Sequence, residues 1–305
     1  MEKKITRRDM LGTLAGASIM AAALPTAKAF AQSSAAAKSP MNLGDWDKPI
    51  DIHGHVEPES ATFTDFNAEE YIAKDFASRI RTMDRYGIER AVLSPGFRYR
   101  KAEGIVNTRK MNDMIATYVA KHPDRFPVGL GTLELAHGDD SLQELERLAK
   151  DLKFRGVIWH HAYMGLPIDH PFMRPLLRRI QELKLIPFIH ARQQDNESWW
   201  RLEILAQEFP ALTFVALASM TNSDSRLQSM QILKRRPNIM VDTGPLFYGG
   251  EYSITAYVKQ IGADRLLFGS DGQPTMTLQV VRNAPISQQE KEQILSGNTK
   301  KLLGL

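Results

Sequence analysis

Asp51-Ile52-His53-Gly54-His55 places two imidazoles two residues apart at the end of a short apolar run. Side chains on a strand alternate between faces, so both rings point to the same side. Two neutral imidazoles converging on one side are half of a metal site. A lone His-x-His pair also suits two hydrogen-bonded structural histidines, so the remainder of the chain decides its meaning.

Outward from this stretch, short β-branched runs alternate with longer amphipathic ones. The pattern predicts strands at Ile50–His53, Arg90–Ser94, Arg125–Gly131, Gly156–Trp159, Ile186–His190, Thr213–Leu217, Ile239–Asp242 and Arg265–Phe268. It predicts helices near Ala68–Tyr86, Ile105–Lys121, Ser141–Leu152, Pro171–Leu183, Ser198–Phe209, Arg226–Arg235 and Ile254–Ile261, with a last helical stretch over Ser287–Leu303. Strands alternating with helices at this spacing imply parallel strands with crossover helices. Eight such units in about 265 residues fit a closed (β/α)8 TIM barrel with an extra C-terminal helix. An open doubly wound sheet is the alternative, but its Gly-rich phosphate turn is missing after the first strand, which runs into His53-Gly54-His55-Val56.

A barrel collects its chemistry at the C-terminal ends of its strands. The first strand ends at His53 and His55, the fourth at His160-His161, the fifth at His190 and the eighth at Asp271. Five of the eight histidines fall at these ends. Singly, each has an ordinary reading: a histidine after a strand is commonly structural, and an aspartate there is often a helix N-cap. Together on one rim, His53, His55, His190 and Asp271 make an all-nitrogen-and-oxygen set suited to zinc or a similar divalent ion. The chain has no cysteine, which excludes thiolate metal sites, a cysteine nucleophile and iron–sulfur ligation. Gly269-Ser270-Asp271-Gly272 is not a serine-hydrolase elbow, because Phe268 stands where that turn needs glycine.

These residues resemble the amidohydrolase superfamily, specifically the amidohydrolase-related branch that contains amino-carboxymuconate-semialdehyde decarboxylase. The resemblance rests on Asp51-Ile52-His53-Gly54-His55, Phe154-Arg155-Gly156-Val157, Pro187-Phe188-Ile189-His190-Ala191, Leu267-Phe268-Gly269-Ser270-Asp271, Gly297-Asn298-Thr299 and the terminal Leu302-Leu303-Gly304-Leu305. It implies that His53, His55, His190 and Asp271 are the metal ligands and that a homodimer is one expected assembly. It also exposes a departure. The family's sixth strand typically ends in a histidine that helps activate metal-bound water or binds a second metal. That position falls at about Ala218, in Phe214-Val215-Ala216-Leu217-Ala218-Ser219-Met220. One metal ion is therefore expected, zinc first, with manganese or iron as alternatives.

Three readings fill the gap at Ala218. Asp271 takes the proton from metal-bound water. Alternatively His160 or His161 substitutes, one of the two facing inward and the other being structural. Or catalysis is lost and only the metal or the fold is kept. Around the rim, Arg98, Tyr99 and Arg100 could bind a substrate carboxylate through a guanidinium fork, or form a solvated basic loop. Glu134 and Asp242 could support the site from behind or be structural. Arg192, Tyr163 and the pair Trp199-Trp200 could wall a pocket for a planar substrate, although Trp199-Trp200 could equally begin a packed helix and Tyr163-Met164 could equally be structural.

The N-terminus adds a location. Met1–Ala31 reads as an export signal: Lys3, Lys4, Arg7 and Arg8, then the apolar stretch Leu11–Leu24, then small-residue sites at Ala27-Lys28-Ala29 and Ala29-Phe30-Ala31. An apolar stretch of about 14 residues is too short to span a bilayer. Thr6-Arg7-Arg8-Asp9-Met10-Leu11 resembles the twin-arginine export motif, with Met10 where phenylalanine is usual; the other reading is an ordinary signal with a chance arginine pair. Residues 32–46 read as a flexible lead-in and 47–305 as the barrel. Without Met1–Ala31 the balance is 34 Lys/Arg against 33 Asp/Glu, so the positive net charge belongs mostly to the signal. That balance gives no support to nucleic-acid or membrane-surface binding.

The expected protein is a periplasmic or secreted metal-dependent hydrolase of a small amide, ester or lactone. The first alternative is a metal-dependent non-oxidative decarboxylase of an aromatic or unsaturated acid. The second is a catalytically degenerate barrel acting as a binding protein.

Overall fold

The computed structural model describes residues 48–58, 67–99, 101–192, 195–220, 223–246 and 250–305. The expected export signal, the lead-in and Arg100 lie outside the described residues.

Eight parallel strands follow one another around a single sheet in sequence order. They are β1 (Ile50–Val56), β2 (Arg90–Pro95), β3 (Val128–Thr132), β4 (Gly156–Trp159), β5 (Ile186–His190), β6 (Phe214–Leu217), β7 (Ile239–Asp242) and β8 (Leu266–Leu267). The ring closes between its first and last strands: Ile52 N–H donates to Phe268 O at 2.9 Å, and Asp271 N–H to His53 O at 3.0 Å. This is the (β/α)8 barrel expected from the alternation. Its strands are buried on both faces, which is why they read as apolar runs.

Helices form the outer ring: α1 (Ala68–Tyr86), α2 (Ile105–Lys121), α3 (Asp139–Lys150), the single turn α4 (His161–Met164), α5 (Met173–Leu183), α6 (Trp199–Glu208), α7 (Ser223–Arg235), α8 (Gly250–Ile261), α9 (Pro274–Asn283), α10 (Gln288–Glu292) and α11 (Asn298–Leu303). Local chemistry sets their limits. Asn67 caps α1 by accepting from the N–H groups of Glu69 and Glu70, and Gly87 ends it with φ at 70°. Among the described residues, no helix is long and apolar enough to cross a membrane.

Two differences from the expected elements have physical causes. The stretch Ser287–Leu303 is not one helix: a π turn over Gln293–Gly297 separates α10 from α11. The Asn298 amide then donates to Ala263 O at 2.8 Å and Leu266 O at 2.7 Å, tying the tail to β8. The pattern also missed α9, whose buried apolar residues Leu278, Val280 and Val281 fall within four consecutive positions and show no helical period.

The interior of the barrel is a separate apolar cluster. Ile52, Val92, Leu130, Ile158, Phe188, Val215 and Leu267 meet there, and Leu303 of the C-terminal helix completes it. Filling the barrel's inside leaves the strand ends at the opposite mouth as the place for polar side chains.

Candidate active site

β1 brings His53 and His55 to one face. A register shift between Asp51 and Gly54 lets the strand carry on through Val56. β5 delivers His190 beside them. The ligand atoms of His53, His55 and His190 all lie within 4.8 Å of one another. Asp271, in the turn after β8, reaches over the pair: its Oδ1 lies 3.6 Å from His53 Nε2 and 3.7 Å from His55 Nε2. The structure thus gathers three of the residues expected from sequence as ligands, His53, His55 and His190, and sets Asp271 beside the first two.

The second nitrogen of each ring is already engaged. His53 Nδ1 is 2.6 Å from Asp242 Oδ2, His55 Nδ1 is 3.1 Å from Pro95 O, and His190 Nδ1 is 2.9 Å from Trp159 O. Acceptors at Nδ1 hold a proton there, so each Nε2 is the ring nitrogen left to face inward. His53 Nε2 and His55 Nε2 stand 3.0 Å apart. A proton on His53 shared with His55, or a metal ion in its place, satisfies that approach.

Charge around the cluster points the same way. Burial pulls the His53 ring down, but Asp271, Asp242 and Asp51 outweigh it and raise the ring to about 9. Burial and the neighbouring charge of His53 push His55 well below its usual value, and burial with the surrounding imidazoles does the same for His190. Burial raises Asp242 to about 6 against the pull of His53. Three carboxylates thus favour a cation among these rings, and three inward nitrogens offer it donors. The residues fit a divalent ion of the zinc or manganese type.

Asp51 does not join the donors. Its carboxylate binds Ser270 Oγ at 2.5 Å, Ser270 N–H at 2.9 Å and His53 N–H at 3.0 Å. It pins β1 to the turn that carries Asp271. Gly269 makes this seam sterically feasible: a Cβ there would meet Asp242 Oδ2 at 2.7 Å and His53 Cβ at 2.9 Å.

A cavity of about 500 Å³ opens above the cluster. His55, His190 and Asp271 form its floor; Phe97, Tyr163 and His160 form an aromatic wall; Arg79, Arg98 and Arg192 bring positive charge, and Glu57 and Asp75 negative charge, Asp75 paired with Arg79. The rings of Phe97 and Tyr163 lie 12° from parallel, 6.2 Å between centroids. The His160 ring stacks on His190 at 4.2 Å.

The two adjacent histidines go separate ways. His160 ends β4 and faces the cavity. His161 begins α4 and is fully buried, with Nδ1 3.1 Å from Leu166 O. Burial lowers it to about 4. Trp199 is also buried away from the cavity, its indole N–H on Ser225 Oγ at 3.3 Å, while its neighbour Trp200 is exposed. Arg98 and Tyr163 meet at the rim, where Arg98 Nη2 donates to Tyr163 Oη at 3.3 Å. Tyr99 instead turns inward and donates to Glu134 Oε1 at 2.9 Å, placing Glu134 in the wall behind the rim.

Glu197 was not anticipated. It sits in a single 3-10 turn after β5, fully buried, with Oε1 2.5 Å from His160 Nδ1. Despite its burial, His160 and Arg192 hold its carboxyl below the usual range. Its only sequence signal is a carboxylate five residues after Arg192 in a strand-end loop.

Ala218 follows β6 in a left-handed conformation, φ 53°, and is buried. Its backbone N–H helps to hold the Asp242 carboxyl down against burial, and no imidazole projects from this strand end.

A family model described as "Amidohydrolase" matches residues 50–305. The chain is 23% identical over 275 residues to 2-amino-3-carboxymuconate-6-semialdehyde decarboxylase of Dictyostelium discoideum, covering 74% of this chain and 76% of that one. Its fold is similar to that of a dihydroxybenzoic acid decarboxylase from a Polaromonas species, solved with bound manganese and the inhibitor 2-nitroresorcinol; the TM-score is 0.63 at 20% identity, covering 85% of this chain and 97% of that one. It is also similar to 4-oxalomesaconate hydratase from Rhodopseudomonas palustris, with a TM-score of 0.66 at 18% identity, covering 84% and 95%.

Proposed function

The chain belongs to the amidohydrolase family, and on that premise we propose that it is a metal-dependent, non-oxidative decarboxylase of a small aromatic or unsaturated carboxylic acid. The observation that carries this reading is the cavity itself. A histidine cluster suited to a divalent cation lies beside an aromatic wall and arginines, in a space of about 500 Å³ that suits a single-ring acid. The decarboxylases among its relatives support the same choice over hydrolysis. The hydrolytic reading, placed first from sequence, has less behind it.

His53, His55, His190 and Asp271 would hold the ion, and a bound divalent ion supplies Lewis acidity toward a substrate oxygen. Zinc was expected first; manganese deserves equal weight because a structurally similar decarboxylase holds it. The chain's own residues do the rest. Arg98 and Arg192 attract the carboxylate, and Phe97 and Tyr163 stack against the ring plane. Loss of carbon dioxide leaves an electron pair on carbon, which must take up a proton. Asp271 is placed to pass it in from water: its side chain lies over the cluster and is 31% exposed to solvent. His160 is less suited, since Glu197 and Arg192 engage both of its ring nitrogens.

Export remains part of the proposal on the strength of residues 1–31 alone, giving a periplasmic or secreted enzyme. A homodimer is proposed on the resemblance only.

The test is a metal-reconstituted preparation offered hydroxybenzoates alongside lactones, esters and N-acyl compounds. Carbon dioxide released in step with a decarboxylated product is the expected result. Hydrolysis of an ester, lactone or amide with no carbon dioxide from any acid would overturn it in favour of the hydrolase.

A further inference from the structure

The three cavity arginines are not equivalent. Arg79 is committed to its neighbours: Nε and Nη2 lie 2.9 and 3.3 Å from the Asp75 carboxylate, and Nη2 also donates to His55 O at 2.9 Å. Arg98 stands on the exposed rim with one 3.3 Å bond to Tyr163. Arg192 is fixed on two sides. Its Nε donates to Glu197 Oε2 at 3.0 Å and its Nη2 to His160 Nε2 at 2.7 Å.

Those two supports are themselves fixed. Glu197 is fully buried, and its Oε1 accepts the Ala162 N–H at 3.0 Å while facing His160 Nδ1 at 2.5 Å. The Arg192 N–H closes the loop by donating to Glu197 O at 2.7 Å. His160 is stacked on the metal-site histidine His190. A guanidinium is planar, so fixing Nε and Nη2 fixes Nη1. Among the described residues Nη1 has no protein partner, and the side chain, 25% exposed, lines the cavity. A buried carboxylate is a costly counter-ion for a group that solvent could serve. It is explained if the guanidinium must keep one orientation.

We infer that Arg192 is the anchor for a substrate carboxylate, and that Glu197 is the positioning residue that aims it, with His160 as the second support. Glu197 offsets the charge of Arg192, so the selectivity comes from a directed N–H donor held ready and not from net charge. A donor already in place loses little side-chain freedom when the anion arrives. The inference rests on the cavity receiving a carboxylated small molecule, and holds whether the reaction releases carbon dioxide or adds water.

The experiment compares 2-hydroxybenzoate with its uncharged counterpart 2-hydroxybenzamide, by calorimetric titration into metal-loaded protein. The native chain is expected to prefer the acid by about tenfold or more. Arg192→Gln and Glu197→Gln should both shrink that preference to within about threefold of unity, at unchanged metal content in the folded protein. Arg192→Lys should recover only part of it, since an ammonium cannot hold both supports and still offer a fork. Should Glu197→Gln fold poorly, His160→Asn, which removes the other support, takes its place. A preference that survives Arg192→Gln sinks the anchor, and one lost only in Arg98→Gln reassigns it to the rim. A preference lost in Arg192→Gln but kept in both Glu197→Gln and His160→Asn sinks the positioning role. If the native chain shows no preference, the carboxylated-substrate reading itself fails and the anchor falls with it.

Discussion

Asp242 Oδ2 stands 2.6 Å from His53 Nδ1, and neither side chain touches solvent. A carboxylate behind a metal-ligating imidazole fixes its tautomer and ring direction and strengthens the inward nitrogen as a donor. Asp242→Asn keeps the shape and removes the charge. We expect it to weaken divalent-ion affinity by about 10–100-fold, the usual cost of losing such a partner. Chelator competition on the purified variant measures this; an unchanged affinity would mean that Asp242 serves only the fold.

His190→Ala removes one of the three inward nitrogens. Metal content is expected to drop to near background. A native protein loaded to about 100 times its dissociation constant gains about 2.7 kcal/mol from the ion, so a chelator should lower its unfolding midpoint. The variant should be insensitive to chelator. Elemental analysis with thermal scans in both conditions checks the pair; a chelator-sensitive His190→Ala protein would place the ion elsewhere.

Ala218 tests whether the vacant sixth-strand position matters. Its left-handed backbone is tolerated by histidine better than by a β-branched residue. If Asp271 supplies the proton, Ala218→His should keep its metal and change turnover by less than about tenfold, or 1.4 kcal/mol. A larger gain at constant metal content would identify a true catalytic vacancy.

His161 should govern part of the acid lability. Its usual value is near 6.5 and burial lowers it to about 4 in the fold. Between those values the unfolded chain binds a proton that the folded chain refuses. Stability therefore falls as pH drops from about 6.5 to about 4, by up to about 1.4 kcal/mol per pH unit. His161→Asn can still reach the Leu166 carbonyl yet cannot titrate. Urea unfolding of both proteins across this range should show a flatter pH dependence in the variant, and parallel curves would assign the lability to other groups.

Much of this was legible because barrels translate order into place. The strand alternation implies the fold, and the strand ends imply one rim for His53, His55, His190 and Asp271. Direction was harder to read. His160 and His161 are neighbours, yet the turn α4 begins between them and sends one ring to the cavity and the other into the core. Trp199 and Trp200 divide in the same way at the start of α6. The clamp of Glu197, His160 and Arg192 depends on the path of a strand-end loop, and the bond between Asp51 and Ser270 spans 219 residues. Periodicity carries no record of such meetings.

That long-range bond has a consequence for how the molecule comes apart. Asp51 joins β1 to the turn after β8, and Asp271 N–H is bonded to His53 O across the same join. The ring's clasp and the ion's cradle therefore share His53 and Asp271. Prising the first strand from the last would part His53 and His55 from Asp271 in the same motion, and an ion seated among them would act as a rivet across the join between the two ends of the barrel.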